Sequence, residues 1–102
     1  MDQLDRIRQM EQILNEVTLA VQNLMDSVDH FDAAVPKLRV LAAYYESEQW
    51  RMDYDDDAAG KLPEELRRGV LAQDTVYDLL TDVNRLRQKL LSLCERLRPQ
   101  AE

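Results

Sequence analysis

Large apolar side chains recur at intervals of three and four residues over residues 7–31, and polar residues fill most positions between them. We call this set the N-terminal stripe; it runs for four heptads and consists of Ile7, Met10, Leu14, Val17, Val21, Leu24, Val28 and Phe31. Such spacing places the apolar side chains on one face of a helix that packs along its length. Asp2 is positioned to cap its first turn.

The end of the chain repeats this pattern. The C-terminal stripe consists of Val76, Leu79, Val83, Leu86, Leu90, Leu93 and Leu97. Asp74 is the expected N-cap of this second long helix, and Pro99 is expected to end it. At about 1.5 Å per residue each helix is roughly 35–45 Å long, so the two are expected to lie side by side.

The region between the stripes predicts shorter helices. Pro36 favours the first turn of a new helix, so we expect a break at residues 32–35 and a helix over 36–47. The alternative is one kinked helix, since the heptad continues through Val35, Leu38, Ala42 and Tyr45. Residues 62–69, with proline first and glycine last, predict another short helix. The predicted fold is an all-α antiparallel helical bundle of two long helices with two or more shorter helices between them.

Composition narrows the functional classes. The chain has 102 residues, which predicts a single helical domain over residues 1–102. A net charge of −7 disfavours nucleic-acid binding, which usually needs a clustered basic face. The start does not resemble a signal peptide and no apolar run is long enough to span a bilayer, so we expect a cytoplasmic protein without a membrane partner. The lone cysteine, Cys94, allows no intrachain disulfide.

Residues 44–60 concentrate aromatic and acidic side chains. Four of the six aromatic residues and four aspartates lie there. We predict a binding surface in this segment, with one residue of the last helix beside it: Tyr44, Tyr45, Trp50, Tyr54, Asp55, Asp56, Asp57 and Tyr77. Tyrosine and tryptophan are favoured at interfaces, and neighbouring carboxylates suit a basic partner. The alternative is that the rings plug one end of a small bundle and the aspartates solvate a loop.

An acidic loop over residues 53–64 offers a second functional hypothesis. Asp53, Asp55, Asp57 and Glu64 occupy positions 1, 3, 5 and 12 of a calcium-loop register. Ala58 stands where that loop needs glycine, so no metal site is predicted as the main interpretation. The alternative function is therefore a small binding protein for a cation or cationic ligand.

The sequence offers little evidence for a group of catalytic residues. His30 falls on the polar side of the first helix, and Cys94 has no histidine near it in sequence. No glycine-rich phosphate loop occurs, and no Cys/His spacing suits zinc. We therefore predict no enzyme activity and no cofactor.

The distribution of charge along the long helices and their apolar surface area indicate which partners the chain could bind. Residues 9–36 contain no Lys or Arg, whereas the second half of the last helix is basic. Two long helices also leave little apolar surface to close a bundle, which leaves a homodimer open as an option. The sequence thus predicts a helical protein-interaction module that binds a protein partner, itself included.

Three stretches of the chain resemble a known family. They are residues 43–50 (Ala-Tyr-Tyr-Glu-Ser-Glu-Gln-Trp), residues 60–63 (Gly-Lys-Leu-Pro) and residues 68–80, which include Arg-Gly-Val-Leu and Val-Tyr-Asp-Leu-Leu. Together they are similar to a family of small bacterial proteins catalogued as a domain of unknown function, family 4298. Residues 72–74 depart from its usual Ser-Glu-Asp. The resemblance implies a bacterial, Gram-positive source and carries no activity with it.

Overall fold

Every regular element of the chain is helical in the range that the structure describes. The computed structural model describes residues 2–99. Helix α1 spans Gln3–Tyr45, α2 spans Glu48–Ala58, a 3-10 helix spans Gly69–Leu71, and α3 spans Gln73–Arg96. The predicted all-α class is confirmed, whereas the antiparallel pairing of two long helices stays a prediction.

The chain divides into two compact units within α1, one up to Arg39 and one from Val40 onward. The first unit contains the N-terminal stripe. The second contains the last residues of α1 together with α2, the 3-10 helix and α3. In the second unit the 3-10 helix contacts both α2 and α3. The prediction of one domain over the whole chain stays a prediction.

Helix α1 begins as the sequence predicts. The backbone N–H of Asp5 donates to Asp2 Oδ1 at 2.7 Å, so the Asp2 carboxylate satisfies one of the free donors of the first turn. Asp5 itself lies in that turn, where its negative charge is favourable beside the positive end of the helix dipole.

Helix α1 continues through Pro36 without a break. The predicted break at residues 32–35 and the separate helix over 36–47 are therefore wrong. Proline removes one backbone donor, but the apolar pattern continues past it, and Val35, Leu38 and Ala42 are half-buried. The helix therefore follows the continuing apolar pattern and not the local preference of proline for a helix start.

The unbroken course of α1 changes the lengths of the two long helices. Helix α1 has 43 residues and α3 has 24. At 1.5 Å per residue these are about 65 Å and about 36 Å, so the predicted match in length is wrong.

Residues 62–69 do not form the predicted helix. They follow an irregular course with one turn, and a 3-10 helix begins only at Gly69. Gly60 ends α2 with a φ of 75°, and the N–H groups of Gly60 and Lys61 bond the carbonyls of Asp57 and Asp56 at 3.0 Å. This is a Schellman ending, which satisfies the last carbonyls of α2 and redirects the chain.

The N-cap of α3 lies two residues before the predicted one. Ala72 is the N-cap, with extended backbone angles and no side-chain cap bond, and Asp74 lies in the first turn. The predicted Asp74 cap is therefore wrong, although its charge still suits that end of the helix dipole. The helix ends at Arg96 with Leu97 as C-cap, before Pro99 as expected.

The core of the described chain is small and belongs to the second unit. Among residues 2–99 the buried side chains are Trp50, Leu71 and Val76. No side chain of α1 is buried, and the N-terminal stripe is 38–58% exposed. None of the helices within residues 2–99 has the length and apolar content needed to cross a membrane.

Replacing Pro36 with alanine tests the unbroken helix. We expect Pro36→Ala to stabilise α1 by up to about 3 kcal/mol, because it restores a backbone donor and removes a clash inside a helix. Helicity by circular dichroism and the thermal midpoint should both rise. A neutral or destabilising effect would instead place Pro36 in the first turn of a separate helix.

Candidate functional site

A single serine joins α1 to α2. Ser47 Oγ donates to the Tyr44 carbonyl at the end of α1 and accepts from the Trp50 N–H at 3.2 Å. Its backbone angles, φ −90° and ψ 159°, are those of an N-cap. One side chain therefore ends the first helix and starts the second, and it fixes the turn between them.

This turn brings together four rings, which we call the aromatic corner: Tyr44, Tyr45, Trp50 and Tyr54. The Trp50 ring meets Tyr45 edge-on with centroids 5.1 Å apart and stacks on Tyr54 at 5.2 Å. Its indole N–H donates to the Val70 carbonyl at 2.8 Å. Trp50 thus holds α2 against the 3-10 helix, and the polar atom of its ring keeps a partner on burial.

The two tyrosines at the end of α1 donate hydrogen bonds to other helices. Tyr45 Oη donates to the Gln73 carbonyl at 3.3 Å, which ties the end of α1 to the start of α3. Tyr44 Oη donates to Asp53 Oδ2 at 2.6 Å, which ties it to α2. This hydrogen bond, with smaller effects of burial and of the Asp53 charge, raises the pKa of Tyr44 to about 12.

The acidic segment is helical where a loop was predicted. Residues 53–58 form the second half of α2, so the predicted acidic loop is wrong over that range. A helix turns about 100° per residue, so Asp53, Asp55 and Asp57 cannot converge on one cation as alternate positions of a calcium loop do. Within residues 2–99 no group of three or more His, Cys, Asp or Glu side chains is placed to hold a metal ion.

Most of these carboxylates already have partners. Asp53 accepts from Tyr44, Asp56 lies 3.8 Å from Lys61 Nζ, and Asp57 forms an ion pair with Arg68. Aspartates near the C-terminal end of a helix oppose its dipole, so the two cations offset an unfavourable placement. The Asp56–Lys61 pair is exposed and contributes little, whereas Asp57 is only 19% exposed.

Arg68 organises the irregular segment after α2. Its guanidinium donates to Asp57 and to the carbonyls of Pro63, Glu64 and Leu66. A planar group with five donors can hold a carboxylate and several carbonyls at once. Three carbonyls of residues 63–66 therefore accept from a side chain, and the segment keeps a single backbone bond of its own, from the Leu66 N–H to the Pro63 carbonyl, where a regular helix would have a continuous series.

The predicted binding residues fall into three classes of exposure. Trp50 is buried, and Asp55 and Tyr77 are exposed. The others are half-buried: Tyr44, Tyr45, Tyr54, Asp56 and Asp57. As a binding surface this set stays a prediction. The burial of Trp50 and the internal bonds of its neighbours favour the packing interpretation.

The N-terminal stripe, which the periodicity predicted to pack against other helices, is exposed in the structure. The N-terminal stripe is flanked by further exposed apolar side chains, namely Leu4, Ile13 and Met25. At about 100° per residue these positions together cover an arc of about 180°, wider than the narrow seam of a two-stranded coiled coil. The heptad pattern located this face but did not distinguish an interface from a core.

The residues considered for catalysis lie on the surface. His30 is exposed on α1, and Cys94 is an exposed free cysteine on α3. Within residues 2–99 neither side chain belongs to a group of three or more His, Cys, Asp or Glu placed to hold a metal ion.

Comparison with known proteins identifies one family. A family model described as "Domain of unknown function (DUF4298)" matches residues 7–93. The match covers the N-terminal stripe and the aromatic corner, and it confirms the resemblance found in the sequence. No curated protein and no solved structure matches the chain.

The Tyr44–Asp53 bond predicts a change in stability at alkaline pH. The pKa of Tyr44 is 10 in the unfolded chain and about 12 in the folded one, so its stabilising effect is full below pH 10 and is lost as pH rises towards 12. Tyr44→Phe should cost about 1 kcal/mol at pH 7 and abolish the phenolate absorbance step near pH 12. Asp53→Asn should move that step to lower pH. If the step persists in Tyr44→Phe, the assignment is wrong.

The ties made by Arg68 predict a contrast between adjacent arginines. Arg68→Ala should destabilise the chain by about 2 kcal/mol, because it leaves a half-buried carboxylate and several carbonyls without their donor. Arg67→Ala removes the same charge from an exposed side chain and should change stability by less than about 0.5 kcal/mol. Urea unfolding followed by Trp50 fluorescence measures both. Equal effects would rule out the structural role of Arg68.

Proposed function

The protein belongs to the DUF4298 family, and we propose that it is a non-enzymatic helical module that binds another polypeptide through the N-terminal stripe on α1. The observation that supports this is the exposure of the stripe. Eight large apolar side chains in a 3-4 spacing lie on one face of α1, and each is 38–58% exposed. Half-exposed side chains of this size present about 100 Å² each, so the stripe presents about 800 Å², more than the largest patch on a typical monomer.

The reach of α3 supports a partner from outside the chain. The Tyr45–Gln73 bond fixes the start of α3 beside the end of α1. From that point a helix of 24 residues extends about 36 Å, which equals the length of α1 back to about residue 21. Helix α3 is therefore shorter than the part of α1 from Ile7 to Tyr45, which has 39 residues.

The aromatic corner has a supporting role in this proposal. Its hydrogen bonds join the end of α1, α2, the 3-10 helix and the start of α3. Rigid attachment at one end lowers the entropy that a binding helix loses when its partner docks. The exposed members of the predicted surface, Asp55 and Tyr77, remain free to add contacts.

The alternative function, binding of a cation or cationic ligand at residues 53–64, has less to support it. Three of the carboxylates in that segment already bond to Tyr44, Lys61 and Arg68. A bound cation would have to replace these partners, and the helix would have to unwind to bring the oxygen atoms together.

Site-specific photocrosslinking tests the proposed surface. A benzophenone amino acid replaces Leu14 on the stripe in the full chain, and a matched variant carries it at Gln12, on the opposite face of α1. In living bacterial cells we expect Leu14 to give a discrete adduct with a protein and Gln12 to give none. No adduct at Leu14, or equal labelling at both positions, would contradict the proposal.

A further inference from the structure

We infer that the polypeptide on the N-terminal stripe is a second copy of this chain, paired antiparallel through α1. The inference rests on the proposed function, because it names the partner of the same surface. Three features support it: the area of the stripe, the residues that an antiparallel register brings together, and the distribution of charge along α1.

The area of the stripe suits a stable dimer. Each copy presents about 800 Å² of apolar surface, so mutual burial removes about 1,600 Å² from water, the size of a standard specific interface. A long apolar stripe is also self-complementary, because a two-fold axis across it brings the same patch of both copies together.

One antiparallel register buries the whole stripe. The stripe has two rows at seven-residue spacing, an a row that starts at Ile7 and a d row that starts at Met10. With the two-fold axis beside Leu19, the two helices form four kinds of layer, each made of one a and one d position. In these layers the residues of one copy face those of the second copy as follows: Ile7 with Phe31, Met10 with Val28, Leu14 with Leu24, and Val17 with Val21. No stripe residue is left unpaired.

The positions beside the stripe suit the same register. Ala20 faces its own counterpart on one side of the axis, and Thr18 does so on the other. Small side chains at these central positions allow the helices to approach closely. Further out, Glu11 faces Met25 and Ile13 faces Ser27, so no like charges oppose each other.

The charge along α1 favours the antiparallel direction. Arg8 is the last basic residue before Lys37, and Asp29 and Asp32 lie at the other end of the stripe. Antiparallel pairing places Arg8 of each copy at the same end of the pair as these two aspartates of the second copy, and it also opposes the two helix dipoles. Parallel pairing would gather the aspartates of both copies at one end.

Sedimentation equilibrium of the purified full chain measures the association. We expect a mass twice the 11.9 kDa of one chain at micromolar concentration. Leu24→Asp should weaken the dimer at least about 100-fold, because it buries a charge in two layers, whereas Gln12→Asp, on the opposite face of α1, should not. Fluorescence of Trp50, which lies in the other unit, checks that the second unit of each variant is folded.

Disulfide trapping distinguishes antiparallel from parallel pairing of the two α1 helices. In a Cys94→Ser background, Leu14→Cys and Leu24→Cys chains are oxidised separately and as an equal mixture. The antiparallel register predicts a disulfide only in the mixture, since Leu14 faces Leu24 and lies about 15 Å along the axis from its own counterpart. A disulfide from Leu14→Cys alone would show a parallel pair and overturn the inference.

The two proposals can fail separately. A monomeric mass at all concentrations, or a dimer that Leu24→Asp does not weaken, would overturn the self-association. If the Leu14 photocrosslinker still captured a different protein, the interaction module itself would stand. If Leu14 captured nothing, the stripe would not be a binding surface, and the proposed function would fail with it.

Discussion

The unbroken course of α1 through Pro36 is the constraint on which the other features depend. An interior proline costs a helix about 3 kcal/mol, so the rest of this 43-residue helix must offset that cost. With α1 continuous, its length exceeds that of α3 by 19 residues, from 43 and 24. Because of that difference α3 is too short to match the full length of α1.

The second unit is stabilised by directional bonds as much as by apolar burial. Three buried side chains contribute about 1.5–3 kcal/mol each, which is little for a unit of this size. Hydrogen bonds and ion pairs therefore provide part of the stability that the small apolar core does not. Ser47 joins two helices, Trp50 and Tyr45 bond backbone carbonyls of later elements, and Arg68 holds a segment without regular structure. Each of these contacts fixes a geometry as well as adding stability, so the end of α1 is held in one orientation relative to α2.

The sequence was sufficient for the elements with a strong repeat and insufficient where local and long-range signals compete. The stripes predicted the two long helices, and Asp2 predicted its cap correctly. At Pro36 the local signal favoured a new helix, while the continuing heptad, which favoured one helix, prevailed. In α2 the four aspartates indicated a loop, although Ser47 and Gly60 marked both ends of a helix. No local pattern predicts the structural role of Arg68, because its partners are set by the course of the irregular segment and not by residue spacing. Periodicity also cannot separate a core face from an interface, because both need the same spacing.

The polar faces of α1 explain how such an exposed stripe can be selective. A wide apolar face without charge nearby would attract any apolar surface and promote aggregation. On α1 the acids Glu11, Glu16, Asp26, Asp29 and Asp32 border or oppose the stripe without an intervening basic residue. A helix that docks there must match the apolar layers and must also avoid bringing further acids alongside. A second α1 in antiparallel orientation meets both, since its layers match by symmetry and its only basic residues in the stripe region, Arg6 and Arg8, arrive at the acidic end.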